Sequence, residues 1–526
     1  MNDFAELLND LILSPSRKKK IDLLKNFFCK SNIKDKGWAF CILTNRMDRK
    51  FVSVKELKEL IIENSDEDLF RFSYDYVGDL AETISLLWES NNEKNTKLNL
   101  HEFMEIFSNF DHKNKLKTKL KYFLDRSSEN QRYTIIKILT GGLRVGVSNG
   151  LIKEALKLSG VREKSEIEEF WHGFKLPCTD LFEWLDGKEL PKYINRKKLF
   201  NSFMLANNYN SNEFKSYKTD DYIAEFKWDG IRAQIIFSED GKIFSRNGED
   251  ITNSFCDINT FIKGYFVVDG EIVVKKNNKI LSFNHLQKRI GRKNPSKKLI
   301  EDYPIHFIAY DILFYTSVDC RALSLIERKK YLNRFINICK FSNISTSSLI
   351  KFSSWDQLQN IKETSLNNHI EGVIIKKKTS VYKKGRVVDG WYKWKRNPFS
   401  VDFIIMYAQR GHGKRSSFYS DFTFGCWIDE QFTKLVPVGK AYSGYTNEEL
   451  DKLDKFVRKN TIQKFGPVRE VEKTLVFEIA FDSISKSKRH KSGLALRFPR
   501  ISKIRWDKSP EEIEDLKRIK DFYKLS

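Results

Sequence analysis

The sequence predicts a multidomain α+β protein with an all-α N-terminal part, a mixed α+β middle part and a small C-terminal β-barrel. The length of 526 residues and the hydrophobic content of 40% suffice for about three cores. Helical periodicity dominates roughly the first 200 residues, and short β-branched and aromatic runs between turn residues dominate the rest. We therefore expect domains over 1–203, 204–398 and 399–526.

The N-terminal part carries apolar residues at helical spacing. The first such stripe covers 7–13 and should stop at Ser14-Pro15-Ser16. Similar patterns at 54–61 and 79–88 predict further helices. The basic run over 113–121 is more typical of a solvated helix face than of a binding site.

The remaining chain is predicted to be rich in strands. Expected strands cover 222–226, 235–237, 265–268, 305–308, 372–375, 401–407, 422–427, 434–438 and 475–481. The dense group after residue 400 favours a small barrel. A Glu- and Lys-rich helix should follow Pro510.

The charge of the chain favours a polyanionic partner. The net charge is +23 and the isoelectric point is about 9.4, which makes nucleic acid the first candidate. The chain is also rich in Lys, Asn and Ile, as an AT-rich genome would produce. The charge therefore supports a nucleic-acid partner without establishing one.

The cysteines indicate neither a zinc ribbon nor a disulfide framework. The chain has seven, and no two of them form Cys-x-x-Cys. Reduced thiols in a cytoplasm are expected. The first residues are acidic and do not resemble a secretory signal, and no apolar run approaches the roughly 20 residues that span a bilayer. We expect a cytoplasmic protein, nucleoid-associated when bound to DNA, that does not engage a membrane.

The most informative stretch is Lys227-Trp228-Asp229-Gly230-Ile231-Arg232, which follows a strand-like run and fits Lys-x-Asp-Gly-x-Arg. A lysine on a tight turn, with a carboxylate and a guanidinium close by, suits attack on a nucleotide phosphate. Asp-Gly is also common in hairpin turns, so these six residues alone favour an ordinary turn. The residues that follow reverse this preference.

Further polar groups follow the lysine in a fixed order. They are Arg246 beside Asn-Gly, Glu271 at a strand end, Tyr310 in an apolar strand, Glu371 before another strand, and Lys393 with Lys395. Alternation places the last two on one face of a strand. Each element singly is more often structural than catalytic, and Arg246 alone would be a hairpin tip. Together they supply a nucleophile, two carboxylates, an aromatic platform and two cations.

This order resembles the covalent nucleotidyltransferases, and most closely the ATP-dependent DNA ligases of the bacterial three-domain type. Arg410-Gly411-His412-Gly413-Lys414-Arg415 is similar to the segment that opens the ligase OB domain. Arg497-Phe498-Pro499-Arg500 and Arg505-Trp506-Asp507-Lys508 are similar to the last motif. The glycine-rich stretch 139–146 resembles a turn of the helical DNA-binding domain. The resemblance implies a helical DNA-binding domain, an adenylation domain and an OB-fold barrel.

The resemblance also implies a role for each residue. Lys227 would attack the α-phosphate of ATP and form a lysyl-adenylate. The implied ATP-binding residues are Glu225 at the adenine edge, Tyr310 stacked on adenine, Glu271 at the ribose, and Arg232, Arg246, Lys393, Lys395, Arg505 and Lys508. A lysine has a reference pKa of about 10.4 and is therefore a poor nucleophile at neutral pH. Neighbouring cations such as Arg232, Lys393 and Lys395 would favour the neutral amine of Lys227.

Metal and DNA contacts are implied in the same way. Glu371, with Glu271 as a second ligand, is assigned to Mg²⁺, and Mn²⁺ is an alternative metal. The implied DNA-binding residues are Gly141, Gly142, Arg144, Gly146, Arg289, Arg410, Lys414 and Arg415. Glycines permit close approach to phosphates, although a helix-capping turn would also explain the three in 139–146.

The expected function is ATP-dependent sealing of 5′-phosphate/3′-hydroxyl nicks in duplex DNA by a monomer, in repair, replication or recombination. An NAD-dependent DNA ligase would carry a cysteine zinc finger, which this sequence lacks. An RNA ligase or capping-type nucleotidyltransferase is the main alternative, and the glycine-rich helical part and 410–415 argue against it. A basic, non-catalytic nucleic-acid scaffold is a further alternative of a different class.

Overall fold

The computed structural model describes residues 1–47, 51–77, 79–89, 98–108, 113–141, 143, 145–365, 369–388, 390–411, 418–466, 468–487 and 490–522. The chain divides into two compact units. The first comprises Met1–Lys164, Lys175–Glu189 and Asn397–Ser526, and the second comprises Ser165–Phe174 and Leu190–Arg396. Residues 165–174 thus belong to the second unit. The predicted limits of the three domains stay a prediction.

The N-terminal part of the first unit is helical. The helices within 1–189 are α1 (Asn2–Leu13), α2 (Arg17–Lys30), α3 (Ile33–Leu43), α4 (Val54–Ile62), α5 (Glu67–Val77), α6 (Leu80–Leu87), α7 (Leu100–Ser108), α8 (Lys113–Asp125), α9 (Glu129–Thr140), α10 (Asn149–Ser159), α11 (Lys164–Phe170) and α12 (Thr179–Leu185). Of these, α11 belongs to the second unit apart from its first residue. The first helix ends where the sequence predicts. The next one begins at the cap Ser16, whose side chain accepts a hydrogen bond from the backbone of Lys19.

The second unit alternates strands and short helices. Its elements are β1 (Met204–Leu205), β2 (Asn207–Asn208), α13 (Ser211–Phe214), β3 (Tyr222–Trp228), β4 (Ile231–Phe237), β5 (Lys242–Ser245), β6 (Phe266–Lys276), β7 (Lys279–Ile280), α14 (Phe283–Gln287), α15 (Lys297–Asp302), β8 (Ile305–Tyr315), β9 (Val318–Asp319), α16 (Leu325–Cys339), β10 (Ile344–Thr346), β11 (Leu349–Ile350), α17 (Trp355–Thr364), β12 (Ile370–Lys377), β13 (Gly385–Arg386) and β14 (Trp391–Lys395).

Two larger sheets organise the described part of this unit. One has the strand order β10-β8-β6-β4-β5, and the other has the order β11-β3-β12-β14-β2. Strands β3 and β4, which flank Asp229-Gly230, lie in different sheets and do not pair with each other. The interpretation of Asp-Gly as a hairpin turn is therefore wrong, because the chain uses these residues to pass from one sheet to the other.

The C-terminal part of the first unit is rich in strands. It contains β15 (Phe399–Arg410), β16 (Tyr419–Trp427), β17 (Leu435–Ala441), α18 (Asn447–Lys459), β18 (Thr461–Phe465), β19 (Val468–Val471), β20 (Val476–Phe481), β21 (Ser483–Lys486), β22 (Leu494–Arg497), β23 (Arg500–Arg505) and α19 (Leu516–Phe522). The long strand β15 pairs with β16 along one edge, and with β20 and then β19 along the other. Phe403, Phe422 and Phe477 are among the residues of its buried core.

The predicted fold class is confirmed, with a helical N-terminal region, a central α+β region and a strand-rich C-terminal region. The seven cysteines carry free thiols. Within the described ranges, the helices are all too short or too polar to traverse a bilayer.

Candidate active site

Residues from both sheets of the second unit line one cleft. The predicted residues in its lining are Glu225, Lys227, Arg232, Arg246, Glu271, Tyr310, Lys393 and Lys395. Lys376, Arg386 and Trp391 line it as well. Tertiary structure thus brings together side chains that are spread over 171 positions of sequence, from 225 to 395.

One wall of the cleft is a face of the three neighbouring strands β3, β12 and β14. Lys227 pairs with Gly372 on β12, and Gly372 pairs with Lys395 on β14. Glu225 and Lys393 pair in the same way with Ile374. Side chains two residues apart on a strand point to the same side, so these pairs form two parallel rows on one face.

The position of Glu371 depends on an irregularity in β12. The register shifts between Ile370 and Gly372, and Gly372 has a φ of 146°. A Cβ atom there would come within 2.2 Å of the carbonyl oxygen of Trp394, so only glycine fits. A bulge re-aims the adjacent side chain. The carboxylate of Glu371 accepts a hydrogen bond from Lys227 Nζ and lies 3.9 Å from Lys395 Nζ.

The turn after Lys227 brings Glu271 into the same site. A Cβ atom on Gly230 would lie 2.3 Å from the carbonyl oxygen of Ile272 and 2.8 Å from Cγ of Glu271. The absence of a side chain at Gly230 therefore lets the turn pack directly against β6. Burial raises the pKa of Glu271 to about 8, against the opposing effect of the Lys227 and Arg232 charges.

Arg232 is fixed on the opposite side by a buried carboxylate. Its Nε and Nη2 donate to the two oxygens of Asp269 at 3.1 and 2.7 Å. Its guanidinium carbon lies 4.2 Å from the ring centroid of Phe203 and 5.7 Å from that of Tyr310. Burial alone would lower the pKa of Arg232, but the charge of Asp269 raises it well above its ordinary value.

Glu225 is paired with two lysines that sequence reasoning left without a role. Lys376 Nζ donates to it at 2.6 Å, and Lys329 donates to its other oxygen. Lys376 Nζ also lies 4.6 Å from the ring centroid of Tyr310 and 4.3 Å from that of Trp391. Burial lowers the pKa of Lys376 to about 8, although Glu225 opposes this shift.

Strand alternation could have identified these additional residues. Lys376 lies two positions after Ile374 on β12, and Trp391 lies two positions before Lys393 on β14. Each therefore shares the face of a residue that lines the cleft. Lys329 lies on α16, and no local pattern relates it to Glu225.

Arg246 lies at a hairpin tip, as its neighbours Asn247 and Gly248 suggest. The backbone N–H of Ser245 donates to the carbonyl of Glu249 at 2.9 Å, and that of Gly248 donates to Ser245 at 2.9 Å. Arg246 also lines the cleft. The structural and functional interpretations of this residue are therefore compatible.

The carboxylates suit a hard divalent cation such as Mg²⁺, which prefers oxygen ligands. Glu371 lies beside Lys227, and Glu271 lies in the cleft wall, where the charge of Glu371 helps to raise its pKa. The raised pKa of Glu271 means that the nearby charges of Lys227 and Arg232 do not fully offset the cost of burying its charged form. A cation would offset more of that cost, so the donor set fits the expected metal.

Comparison with known proteins gives a consistent family. Residues 203–395 match the family described as ATP dependent DNA ligase domain, 415–508 match ATP dependent DNA ligase C terminal region, and 1–157 match DNA ligase N terminus. The chain is 33% identical over 429 residues to the probable DNA ligase of Koribacter versatilis. The aligned region covers 76% of this chain and 73% of that protein. The chain belongs to the ATP-dependent DNA ligases.

Other similar proteins extend the match over the full length of this ligase. DNA ligase 1 of Korarchaeum cryptofilum is 26% identical over 548 residues, which cover 99% of this chain and 98% of that protein. The solved chain named Pmar-Lig_PreS3 superposes with a TM-score of 0.56 at 16% identity, over 95% of this chain and 99% of that one. At that identity the superposition shows the fold alone. The protein is an enzyme that ligates DNA, which sets aside the scaffold, RNA-ligase, capping-enzyme and NAD-dependent alternatives.

The predicted last-motif residues of the ligase form a local charge cluster in its strand-rich part. Arg505 donates to both carboxylate oxygens of Asp507 at 3.1 and 3.0 Å. Lys508 Nζ donates to Asp402 at 2.7 Å, and Arg505 lies 3.6 Å from the same carboxylate. Arg410 ends β15, with its guanidinium 5.8 Å from the ring centroid of Tyr419. The predicted DNA-binding residues Lys414 and Arg415 lie outside the described residues.

The glycine-rich turn of the ligase has clear structural roles. Gly141 caps α9 in the left-handed conformation with a φ of 67°. Gly146 has a φ of 63°, and its carbonyl accepts a hydrogen bond from Lys20 Nζ at 3.0 Å. The capping interpretation holds for Gly141, and DNA contact stays a prediction. Gly142 and Arg144 lie outside the described residues.

The prediction that Arg289 contacts DNA is wrong, because its side chain is completely buried. Its guanidinium donates to both oxygens of Asp257 at 2.6 and 3.2 Å, and to the carbonyls of Ser254 and Tyr303. Asp257 also accepts from the backbone of Ile305, the first residue of β8. Arg289 therefore joins three segments of the second unit, and its sequence neighbourhood of basic residues gave no sign of this.

Proposed function

We propose that this ligase seals 5′-phosphate/3′-hydroxyl nicks in duplex DNA through a lysyl-AMP intermediate on Lys227. The single observation that carries the proposal is the placement of Lys227. Its amine lies on a cleft face with Lys393 and Lys395, and it is held by the carboxylate of Glu371. A nucleophile beside fixed cations suits attack on a phosphate.

The first step requires Lys227 to become a free amine. Glu371 accepts a hydrogen bond from Lys227 Nζ, and this contact must be released before the amine can attack. The lone pair of Lys227 Nζ then forms a bond to the α-phosphorus of ATP, the bond from that phosphorus to the bridging oxygen breaks, pyrophosphate leaves, and Nζ loses a proton.

The walls of the cleft suit the parts of ATP. Tyr310 offers an aromatic face for adenine, with Trp391 edge-on to it at 6.2 Å. Glu225 lies at the same end, where we place the adenine edge, and Glu271 is placed at the ribose. Lys395 lies in the row of Lys227 and Lys393 lies in the adjoining row of Glu225; both are assigned to the phosphates, as are Arg232 and Arg246.

Mg²⁺, or Mn²⁺ in its place, would neutralise phosphate charge when bound, and Glu371 and Glu271 are the residues proposed to hold it. When bound, the cation would be held by these two carboxylates and would neutralise negative charge near Lys227. Binding there would also remove the constraint that Glu371 places on the lysine.

Two further transfers complete the proposed reaction. An oxygen of the 5′-phosphate attacks the phosphorus of lysyl-AMP, the N–P bond breaks, and Lys227 regains a proton. The 3′-hydroxyl of the adjoining strand then attacks the 5′-phosphate, loses its proton, and displaces AMP. The strand is thereby joined.

The proposal extends to the other regions of the chain. We assign 1–203 to DNA binding, 204–398 to adenylation and 399–526 to an OB-fold domain. Arg505 and Lys508 are assigned to the pyrophosphate during adenylation, and Gly141, Gly146 and Arg410 to the DNA backbone. The enzyme is proposed to act as a monomer in the cytoplasm, in repair, replication or recombination.

Labelled nucleotide tests this function directly. The pure protein is incubated with α-labelled ATP, or with labelled NAD, and Mg²⁺, and is then chased with nicked duplex DNA. We expect label on the protein from ATP only, and its release as AMP while the nick closes. Label that forms but never seals DNA would contradict the nick-sealing proposal, and label from NAD would contradict the choice of nucleotide.

Lys227→Ala should abolish lysyl-AMP formation while the protein still folds, because the half-buried side chain contributes the nucleophile rather than core packing. Lys279→Ala removes an exposed lysine of the same unit and should leave labelling unchanged. Intact mass spectrometry after incubation with ATP measures the adduct. Normal adenylation of the Lys227 variant would refute the assignment.

A further inference from the structure

Tyr382 makes a buried contact behind the cleft without belonging to the cleft lining described above. Its hydroxyl donates to Oδ2 of Asp269 at 2.7 Å. The same oxygen accepts from Arg232 Nη2 at 2.7 Å. Asp269 is fully buried, so these donors replace the water that its charge would otherwise require.

Arg232 is the member of this network that reaches the cleft. Two of its N–H donors, on Nε and Nη2, are used by Asp269, and its guanidinium lies near the rings of Phe203 and Tyr310. A bidentate pair fixes the orientation of a guanidinium, but only when the carboxylate itself has a fixed rotation. The Tyr382 hydroxyl fixes that rotation by holding Oδ2.

Tyr382 is itself held firmly. Its backbone N–H donates to the carbonyl of Arg321 at 2.8 Å. Its ring lies edge-on to Trp391 at 5.8 Å, and the guanidinium of Arg328 lies 5.7 Å from its centroid. Arg328 forms a completely buried ion pair with Asp311 on β8. The hydroxyl is therefore anchored to the frame of the second unit rather than to a mobile side chain.

We propose that Tyr382 is a positioning residue for nucleotide binding, whose hydroxyl orients Asp269 and through it the guanidinium of Arg232. This inference rests on the proposed function, in which Arg232 contacts bound ATP. Tyr382 does not touch the nucleotide itself. The Tyr382 hydroxyl should stabilise bound ATP equally in the ground state and the transition state, because the Arg232 contact that it orients is present before the chemistry begins.

The test variant is Tyr382→Phe, which keeps the ring against Trp391 and removes only the donor. We expect the Kd for α,β-methylene-ATP, an analogue that cannot transfer AMP, to rise roughly tenfold, as for the loss of a hydrogen bond to a charged group. The KM for ATP in lysyl-AMP formation should rise equally, with kcat changed by less than about twofold. The Tm should remain close to that of the wild type.

Two comparisons separate positioning from a merely structural role. In an Arg232→Ala background, Tyr382→Phe should weaken analogue binding no further, because residues acting through one contact are not additive. Tyr217→Phe is the matched control. Its ring stacks near Tyr222 at 5.8 Å, and within the described residues its hydroxyl makes no hydrogen bond, so the Kd should not change.

The outcomes distinguish this inference from the proposed function. A wild-type protein that neither binds the analogue nor takes label from ATP overturns both. If the wild type binds the analogue and takes label, but Tyr382→Phe has the same Kd as the wild type, the inference alone is overturned. The inference is also overturned if Tyr382→Phe weakens analogue binding in the Arg232→Ala background as much as it does in the wild type. If Tyr382→Phe unfolds at the assay temperature, Asp269→Asn tests the same link, and an unchanged Kd in that variant overturns it.

Discussion

At the scale of single residues, burial strongly alters the ionisation of the Glu271 carboxyl in the cleft. Burial raises its pKa to about 8, and the charges of Glu371 and Asp269 act in the same direction. Glu271 therefore keeps its proton at pH values where a solvated glutamate is charged. A nearby cation would favour the charged carboxylate instead.

The raised pKa makes stability depend on pH with a defined sign. Between the unfolded value of about 4.5 and the folded value of about 8, the folded chain retains a proton that the unfolded chain releases. Unfolding is then favoured as pH rises, so Glu271 reduces the free energy of unfolding progressively across this window. Below pH 4.5 and above pH 8 its contribution should be constant.

We expect the Glu271 carboxyl to lower the free energy of unfolding by about 2–4 kcal/mol across this pH window, and Glu271→Gln to abolish that fall. Unfolding of the ligand-free wild type and variant by denaturant, at pH values from 5 to 8, measures it. Glu239→Gln, an exposed change in the same unit, should keep the wild-type profile. Parallel profiles for wild type and Glu271→Gln would show that the carboxyl is not protonated as described.

At the scale of elements, the connection between β3 and β4 determines the geometry of the site. Asp-Gly usually closes a hairpin, yet here the two strands join different sheets. Close packing of Gly230 against Ile272 places the end of β3 beside Glu271 on β6. The bulge at Gly372 then directs Glu371 toward Lys227. Neither feature follows from strand propensity, because both depend on which strands become neighbours.

The segment after α14 shows the same dependence on tertiary neighbours. Arg289 lies in a basic stretch, but its side chain is buried and pairs with Asp257. Arg289→Met should therefore leave this carboxylate without its partner and lower the free energy of unfolding by about 3–5 kcal/mol. Denaturant titration measures the change, and nicked-DNA affinity at low temperature should be retained.

Arg292→Ala is the matched control, since Arg292 is exposed three residues further along. It should leave the free energy of unfolding within about 0.5 kcal/mol of the wild type. A drop in DNA affinity for the Arg289 variant, without loss of stability, would restore the original interpretation of Arg289 as a DNA contact.

At the scale of the whole molecule, the net charge of +23 governs encounters with DNA. Each phosphate contacted by a lysine or arginine releases condensed counterions, so affinity falls as salt rises. A ligase must bind any sequence, and backbone contacts provide binding that carries no sequence information. The charge is therefore suited to the proposed substrate even if part of it reflects genome composition.

Binding of a nicked duplex should weaken by roughly 10³-fold or more between 50 and 200 mM salt, for about six phosphate contacts. Fluorescence anisotropy with Lys227→Ala, which cannot turn over, measures the Kd. Sequences of different composition should give similar slopes. An affinity that does not change over this range would exclude an electrostatic grip on the backbone.

The sequence by itself determined the fold class, the chemical type of the cleft residues and their order along the chain. Periodicity separated the helical region from the strand-rich regions, and alternation placed Lys393 and Lys395 on one face of β14. These properties are local, because they depend on the spacing of side chains along a helix or strand. The family resemblance followed from the same local motifs.

Only the tertiary structure decided which distant groups meet. It paired Lys227 with Glu371, Glu225 with Lys376 and Lys329, and Asp269 with both Arg232 and Tyr382. It also buried Arg289, whose sequence context suggested an exposed cation. The physical reason is that burial and pairing depend on the packing of elements far apart in sequence, and a charged residue has the same local pattern whether its partner is solvent, a ligand or another buried charge.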